Sequence, residues 1–219
     1  DLNFFLQFKI ITTKNNYDIF PGSGVDINYF KFLPLKSNKK IKFIYIGRLL
    51  KSKGINIFLD TINSYFLLNK DLECYILGDY ENKKDFNYKL FSKLLNNKKI
   101  KYYNHKDDIR ELIYDSDCIV LPSFREGTSK VLLESMSCGR PIITTDVPGC
   151  DHLVNSNKNG LLCKKNDSKS LSEAISKYFS MSKDNRKNLS VNSRKFIEEK
   201  FDESVVIQKY IDLIKSSNV

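Results

Sequence analysis

Two glutamates, Glu126 and Glu134, stand with seven residues between them in the stretch REGTSKVLLES. Were helix to run from one to the other, they would lie about 12 Å apart along its axis. A carboxylate pair that cleaves a glycosidic bond with retention sits only about 5–5.5 Å apart, so a lytic or hydrolytic enzyme is disfavoured. The spacing suits two carboxylates that hold opposite ends of an extended ligand. A nucleotide-sugar has that shape, with sugar hydroxyls at one end, ribose hydroxyls at the other and a pyrophosphate between. Further upstream, GRLLKSKG (47–54) gathers Arg48, Lys51 and Lys53 between two glycines. A guanidinium and an ammonium there neutralise a diphosphate and stabilise the charge that builds up on a departing nucleoside diphosphate. The glycines leave room for the phosphate. The GxxxxGK[ST] phosphate loop is absent.

Elements at the ends of parallel strands are needed to hold these groups. CIVLP (118–122) is a short apolar run closed by Pro122, which has no amide to donate to a sheet ladder. A turn over 123–127 follows, and helical spacing begins at Thr128, with Val131, Leu132, Ser135 and Met136 on related faces. Gly139 and Pro141 end it, and IITT begins another strand. Strand, turn, helix and strand in that order form the unit of a parallel sheet, whose ligands lie at the carboxyl ends of the strands. Glu126 and Thr128 fall on that edge. Gly127 allows close backbone approach, and the amides of Thr128, Ser129 and Lys130 suit an anionic or polyhydroxyl ligand. The first half repeats the pattern: a strand over 43–46, Gly47 at its end, then Ile55, Phe58, Leu59, Ile62 and Phe66 at helical spacing.

The run REGTSKVLLESMSCGRPIITTDVPGCDHLV resembles the donor-site signature of the family-4 glycosyltransferases (glycosyl transferases group 1), retaining enzymes built from two Rossmann-like domains in the GT-B arrangement. GRLLKSKG is similar to that family's GR…KG motif, and PGSGVDINYF to the loop that follows its inter-domain linker. The resemblance covers the chain from Gly22 onward. It implies that Arg48 and Lys53 bind the donor pyrophosphate, with Lys51 solvated. It implies further that Glu126 contacts the transferred sugar, that Glu134 holds the ribose, and that Gly47, Gly127, Thr128 and Ser129 complete the cradle. His105 is the candidate beside the base, against the alternative of a solvated loop histidine. The family commonly has Glu where this chain has His152.

The rest of the chain is read in order. LECYIL (72–77) and 100–103 are strands, 83–96 is a polar amphipathic helix, another helix begins at Asp107, and 160–163 is the last strand. No Gly or Pro follows Gly160, and three helices are expected. Ser170 and Glu173 would form a capping box for the first, and Val206, Tyr210, Ile211 and Ile214 on the third would face inward or, without a partner domain, stand exposed.

With 219 residues and 41% hydrophobic content, the chain can bury a sizeable core. The formal charge of +10 is carried by lysines scattered among Asn, Ser and acids, not by a dense basic block with interleaved aromatics. Nucleic acid is therefore not the expected partner, and an anionic membrane surface or a phosphate-bearing substrate is. The five cysteines form no CxxC pair and read as reduced thiols. No run reaches the length of a membrane span.

The expectation is an α/β doubly wound parallel sheet, Rossmann-like, forming the C-terminal half of a GT-B fold with a helical C-terminal tail. Residues 1–16 would be a remnant of the N-terminal domain and linker, and 17–219 the nucleotide-sugar-binding domain. The resemblance implies transfer of a sugar from a nucleoside-diphosphate donor to an acceptor hydroxyl with retention, in glycan or polysaccharide biosynthesis. It implies no obligatory metal or other cofactor, and a glycan or lipid-linked acceptor bound through an N-terminal domain that the chain lacks. A cytoplasmic location, with peripheral contact at the inner face of the membrane, goes with this reading. The alternatives are a non-catalytic nucleotide-sugar-binding module or subunit, and a GT-B sugar-nucleotide epimerase.

Overall fold

The computed structural model describes residues 2–10, 12, 22–36, 40–65, 71–155 and 157–217. The last apolar position expected for the first long helix, Phe66, lies outside them. A short helix α1 (Leu2–Gln7) comes first. Six parallel strands follow: β1 (Ile41–Ile46), β2 (Leu72–Leu77), β3 (Lys101–Tyr103), β4 (Cys118–Leu121), β5 (Ile142–Thr145) and β6 (Gly160–Cys163). Between them run α2 (Ile55–Tyr65), α3 (Tyr88–Asn96), α4 (Arg110–Asp115) and α5 (Lys130–Ser137). The chain ends in α6 (Ser168–Ser180), α7 (Lys183–Lys200) and α8 (Glu203–Ser217).

The spatial strand order is β3-β2-β1-β4-β5-β6. Strands β1 to β3 step one way across the sheet and β4 to β6 step the other. Right-handed crossovers therefore place α2 and α3 on one face and α5 on the other. Helix α6 returns against α2, and α7 lies on α5. Strands covered on both faces are largely apolar, and β4 and β5 are buried at every position, the two threonines of β5 donating their hydroxyls to carbonyls. Order reverses between β1 and β4, and the crevice outside their carboxyl ends is where such sheets bind ligands. Both expected motifs begin there.

Two arginines, one buried and one half-buried, fasten the segment before β1. Arg140 is fully buried and, among the described residues, makes no ion pair; its guanidinium donates to the carbonyls of Ile113 (3.1 Å), Leu33 (2.6 Å), Cys138 (2.9 Å) and Tyr114 (3.1 Å). Arg194 Nη1 donates to the carbonyls of Ile27 (3.2 Å), Phe30 (3.0 Å) and Ser137 (3.1 Å). A delocalised cation with five donors tolerates burial when carbonyls meet those donors.

Several local expectations are corrected. Residues 83–96 are not one helix: a 3-10 turn (Lys83–Asp85) precedes α3, because Asn82 and Asn87 each cap a separate start by accepting from Lys84 N and Leu90 N. Helix α6 is capped by Asp167, which accepts from Ser170 N, and the Ser170 hydroxyl is occupied by Lys164 N. Among the described side chains of α8 only Val206 is buried. Tyr210, Ile211 and Ile214, expected to face inward, are exposed. No described helix is long and apolar enough to cross a membrane.

Candidate donor-binding site

The 47–54 loop leaves β1 and is held from beneath by a side chain of that strand. Tyr45 is fully buried, and its hydroxyl donates to Arg48 O at 2.9 Å and lies 3.3 Å from Lys53 O. Burial, with the charge of Glu126 nearby, pushes the phenol far above its ordinary pKa, so it remains a donor. A 3-10 turn (Lys51–Lys53) then closes at Gly54 with φ 73°. A Cβ on Gly54 would stand 1.9 Å from Pro122 O, so the turn rests directly on the loop that leaves β4. Backbone bonds join the two loops: Phe124 N donates to Ser52 O at 2.8 Å, and the Ser123 hydroxyl lies 3.2 Å from the same oxygen.

The 122–129 loop is supported from β5. Thr144 Oγ1 donates to Leu121 O at 2.8 Å, and Thr145 Oγ1 donates to Ser123 O. Gly149 (φ 88°) lies so close that a Cβ there would stand 2.1 Å from Glu126 O and 2.4 Å from Gly127 O. Gly127 is the opposite case. No atom lies within 4 Å of where its Cβ would be. The protein's own packing does not demand this glycine, which leaves the open space for a ligand. Helix α5 starts at Lys130, not at Thr128. Ser129 N points to Gly149 O at 3.4 Å and its side chain makes no cap, so the unpaired amides are those of the helix's first turn. Thr128 faces the 22–24 loop, with Gly22 against its side chain.

The 47–54 loop opens onto a cleft of about 590 Å³, a size suited to a nucleotide. Gly47 and Arg48 line it beyond β1, Asp79 and Tyr80 beyond β2, His105 beyond β3, and Val131 from α5. Asp79 Oδ1 accepts from His105 N at 2.8 Å and so fixes that rim, while the His105 ring is 70% exposed. His105 thus lies on the cleft lining with its ring largely solvated, a position compatible with both readings of it.

Glu134 sits one turn along α5 from Val131, on a related face, and is only 8% exposed. Among the described residues its carboxylate has no hydrogen-bond or ion-pair partner. Burial pushes its pKa up to about 7, against an opposing pull from Lys130. Glu126 is different. Both its carboxylate oxygens lie 2.8 Å from Lys53 Nζ. The family resemblance assigns Lys53 and Glu126 to different parts of a ligand, and the fold joins them directly across 73 residues of chain. Arg48 is exposed at the cleft wall, and Lys51 is solvated as expected.

The sequence reading passed over two positioning residues. Tyr45 looks like any strand residue, and only the curl of the loop above it shows its role. Gly149 stands in VPG, a signal of a turn but not of what the turn must clear.

The family model of the glycosyl transferases group 1 matches residues 27–196. Over 206 residues the chain is 31% identical to the N,N'-diacetylbacillosaminyl-diphospho-undecaprenol alpha-1,3-N-acetylgalactosaminyltransferase of Campylobacter jejuni, covering 87% of this chain and 52% of that protein. The chain spans about half the length of the curated relatives it matches. Anabaena HepE, solved in complex with UDP, superposes with a TM-score of 0.77 at 20% identity, over 88% of this chain and 56% of that one. The C-terminal domain of the group 1 glycosyl transferase LpcC of Francisella tularensis superposes with a TM-score of 0.69 at 20% identity, over 81% of this chain and 98% of that domain. By the match to its family model and the likeness in fold, the chain belongs to the glycosyl transferases group 1 and has the fold of the C-terminal domain of a GT-B enzyme.

Proposed function

We propose that this chain is the donor half of a retaining glycosyltransferase that moves a hexose-type sugar from a nucleoside diphosphate to an acceptor hydroxyl. One observation carries the reading: a nucleotide-sized cleft at the switch point of the sheet is lined by Gly47 and Arg48 beyond β1, by Asp79 and Tyr80 beyond β2 and by Val131 of α5, one turn before the buried Glu134. Arg48, Lys53 and the first-turn amides of α5 would hold the diphosphate and stabilise its developing charge. Glu134 would accept from the ribose hydroxyls and Glu126 from the sugar, while His105 and Tyr80 would border the base. Those cations and amides would neutralise the leaving group, so no obligatory metal is proposed.

Residues 1–16 would be what remains of the N-terminal domain and linker. Acceptor binding would fall to that domain, so the chain alone would bind donor without transferring sugar. Robust transfer by the isolated chain would overturn this. The C. jejuni relative's name places its acceptor on diphospho-undecaprenol, and a lipid-linked acceptor reached by peripheral membrane contact is proposed here too. Calorimetric titration with UDP, GDP, ADP and their sugar conjugates tests the donor site. Selective binding to one base, lost in Lys53→Ala, is expected. Unchanged binding in that variant would sink the assignment.

A further inference from the structure

The ion pair between Lys53 and Glu126 is not needed to hold its two loops together. Phe124 N to Ser52 O and the seat of Gly54 on Pro122 already do so through backbone. The pair is instead partly buried at the junction of the two loops, the Lys53 side chain 28% exposed and that of Glu126 11%. Both carboxylate oxygens lie 2.8 Å from Nζ, so Glu126 presents to the ammonium two anionic oxygens, as a diphosphate would.

We propose that Glu126 is an internal competitor for the phosphate-binding cation. This rests on the donor-site reading above, in which Lys53 is a diphosphate ligand. Without ligand, the carboxylate occupies Nζ. When a donor arrives, its phosphate takes the ammonium, and the freed carboxylate turns to the sugar hydroxyls, so losing the ion pair is offset at both ends. Bare nucleoside diphosphate takes Lys53 but gives Glu126 nothing in return. The ion pair therefore makes the site discriminate against its own product and favours release after transfer. Glu126 is then a specificity-determining residue toward the diphosphate as well as a sugar contact.

Inorganic pyrophosphate is the probe, because it engages Lys53 whatever the base. Its affinity is measured by calorimetry for the whole chain, for Glu126→Gln and Glu126→Ala, and for each of these combined with Lys53→Ala. Both Glu126 variants are expected to bind pyrophosphate about tenfold more tightly than the parent, roughly the worth of one charge-assisted hydrogen bond released. In the Lys53→Ala background the same substitutions should gain twofold or less. Equal or weaker binding by both Glu126 variants would overturn the proposal. So would an equal gain with and without Lys53, since that would reflect only the removal of a nearby negative charge. The donor-site reading fails separately: Lys53→Ala alone would then bind pyrophosphate as tightly as the parent.

Discussion

Replacing Glu134 by glutamine should make the protein more stable and its site worse. The carboxyl has a pKa of about 7 in the fold against an ordinary value of 4.5, because burial on α5 penalises its ionised form. A folded-state pKa above the unfolded value means that this group's favourable contribution is complete below pH 4.5 and is lost as pH rises through about 7. A shift of that size corresponds to at most about 3 kcal/mol once the group is ionised. Glutamine stays neutral at every pH. The variant should match the parent near pH 4.5 and exceed it at pH 8 by up to about 3 kcal/mol, or roughly 6–12 °C in melting temperature for a chain of this size. Urea unfolding of both proteins at pH 5 and pH 8 measures this. Binding should respond in the opposite sense. A ribose diol donates to the ionised carboxylate, so nucleoside diphosphate affinity should rise from pH 6 to pH 8 in the parent beyond what pyrophosphate shows, and that excess should vanish in Glu134→Gln. A stability difference independent of pH, or a parent more stable than the variant at pH 8, would refute the burial argument.

Two further outcomes separate packing from ligand binding. Gly127→Ala meets no protein atom, so it should leave the melting temperature within about 1 °C of the parent while weakening donor binding. Gly149→Ala would press on the carbonyls of Glu126 and Gly127, and its melting temperature should fall by several degrees. Tyr45→Phe removes the hydroxyl that donates to Arg48 O and should cost about 1 kcal/mol in urea unfolding. It should also lower pyrophosphate affinity, because the loop that presents Arg48 and Lys53 loses its anchor. Unchanged affinity would show that backbone bonding alone fixes that loop.

Much of the protein is legible in its sequence because the signals are local. Apolar runs such as FIYI and CIVL, each ended by Gly or Pro, mark strands buried on both faces. Their alternation with helical periods gives a parallel sheet and puts Arg48, Lys53 and Glu126 at its carboxyl edge. Where two local signals compete, reading falters. Asp167 prevails over Ser170 as a cap because its carboxylate reaches Ser170 N, and the Asn82 and Asn87 caps break what hydrophobic spacing alone reads as one helix.

Tertiary structure decided the rest, because it depends on which strand lies beside which. The neighbouring of β1 and β4 brings Lys53 within 2.8 Å of Glu126 and seats Gly54 on Pro122. The neighbouring of β4 and β5 brings Gly149 under the glutamate turn. Glu134 is recognisable from sequence as a residue type at a spacing. Its raised pKa is a property of the helices and strands that bury it, since removal from water depends on neighbours that a linear chain does not specify.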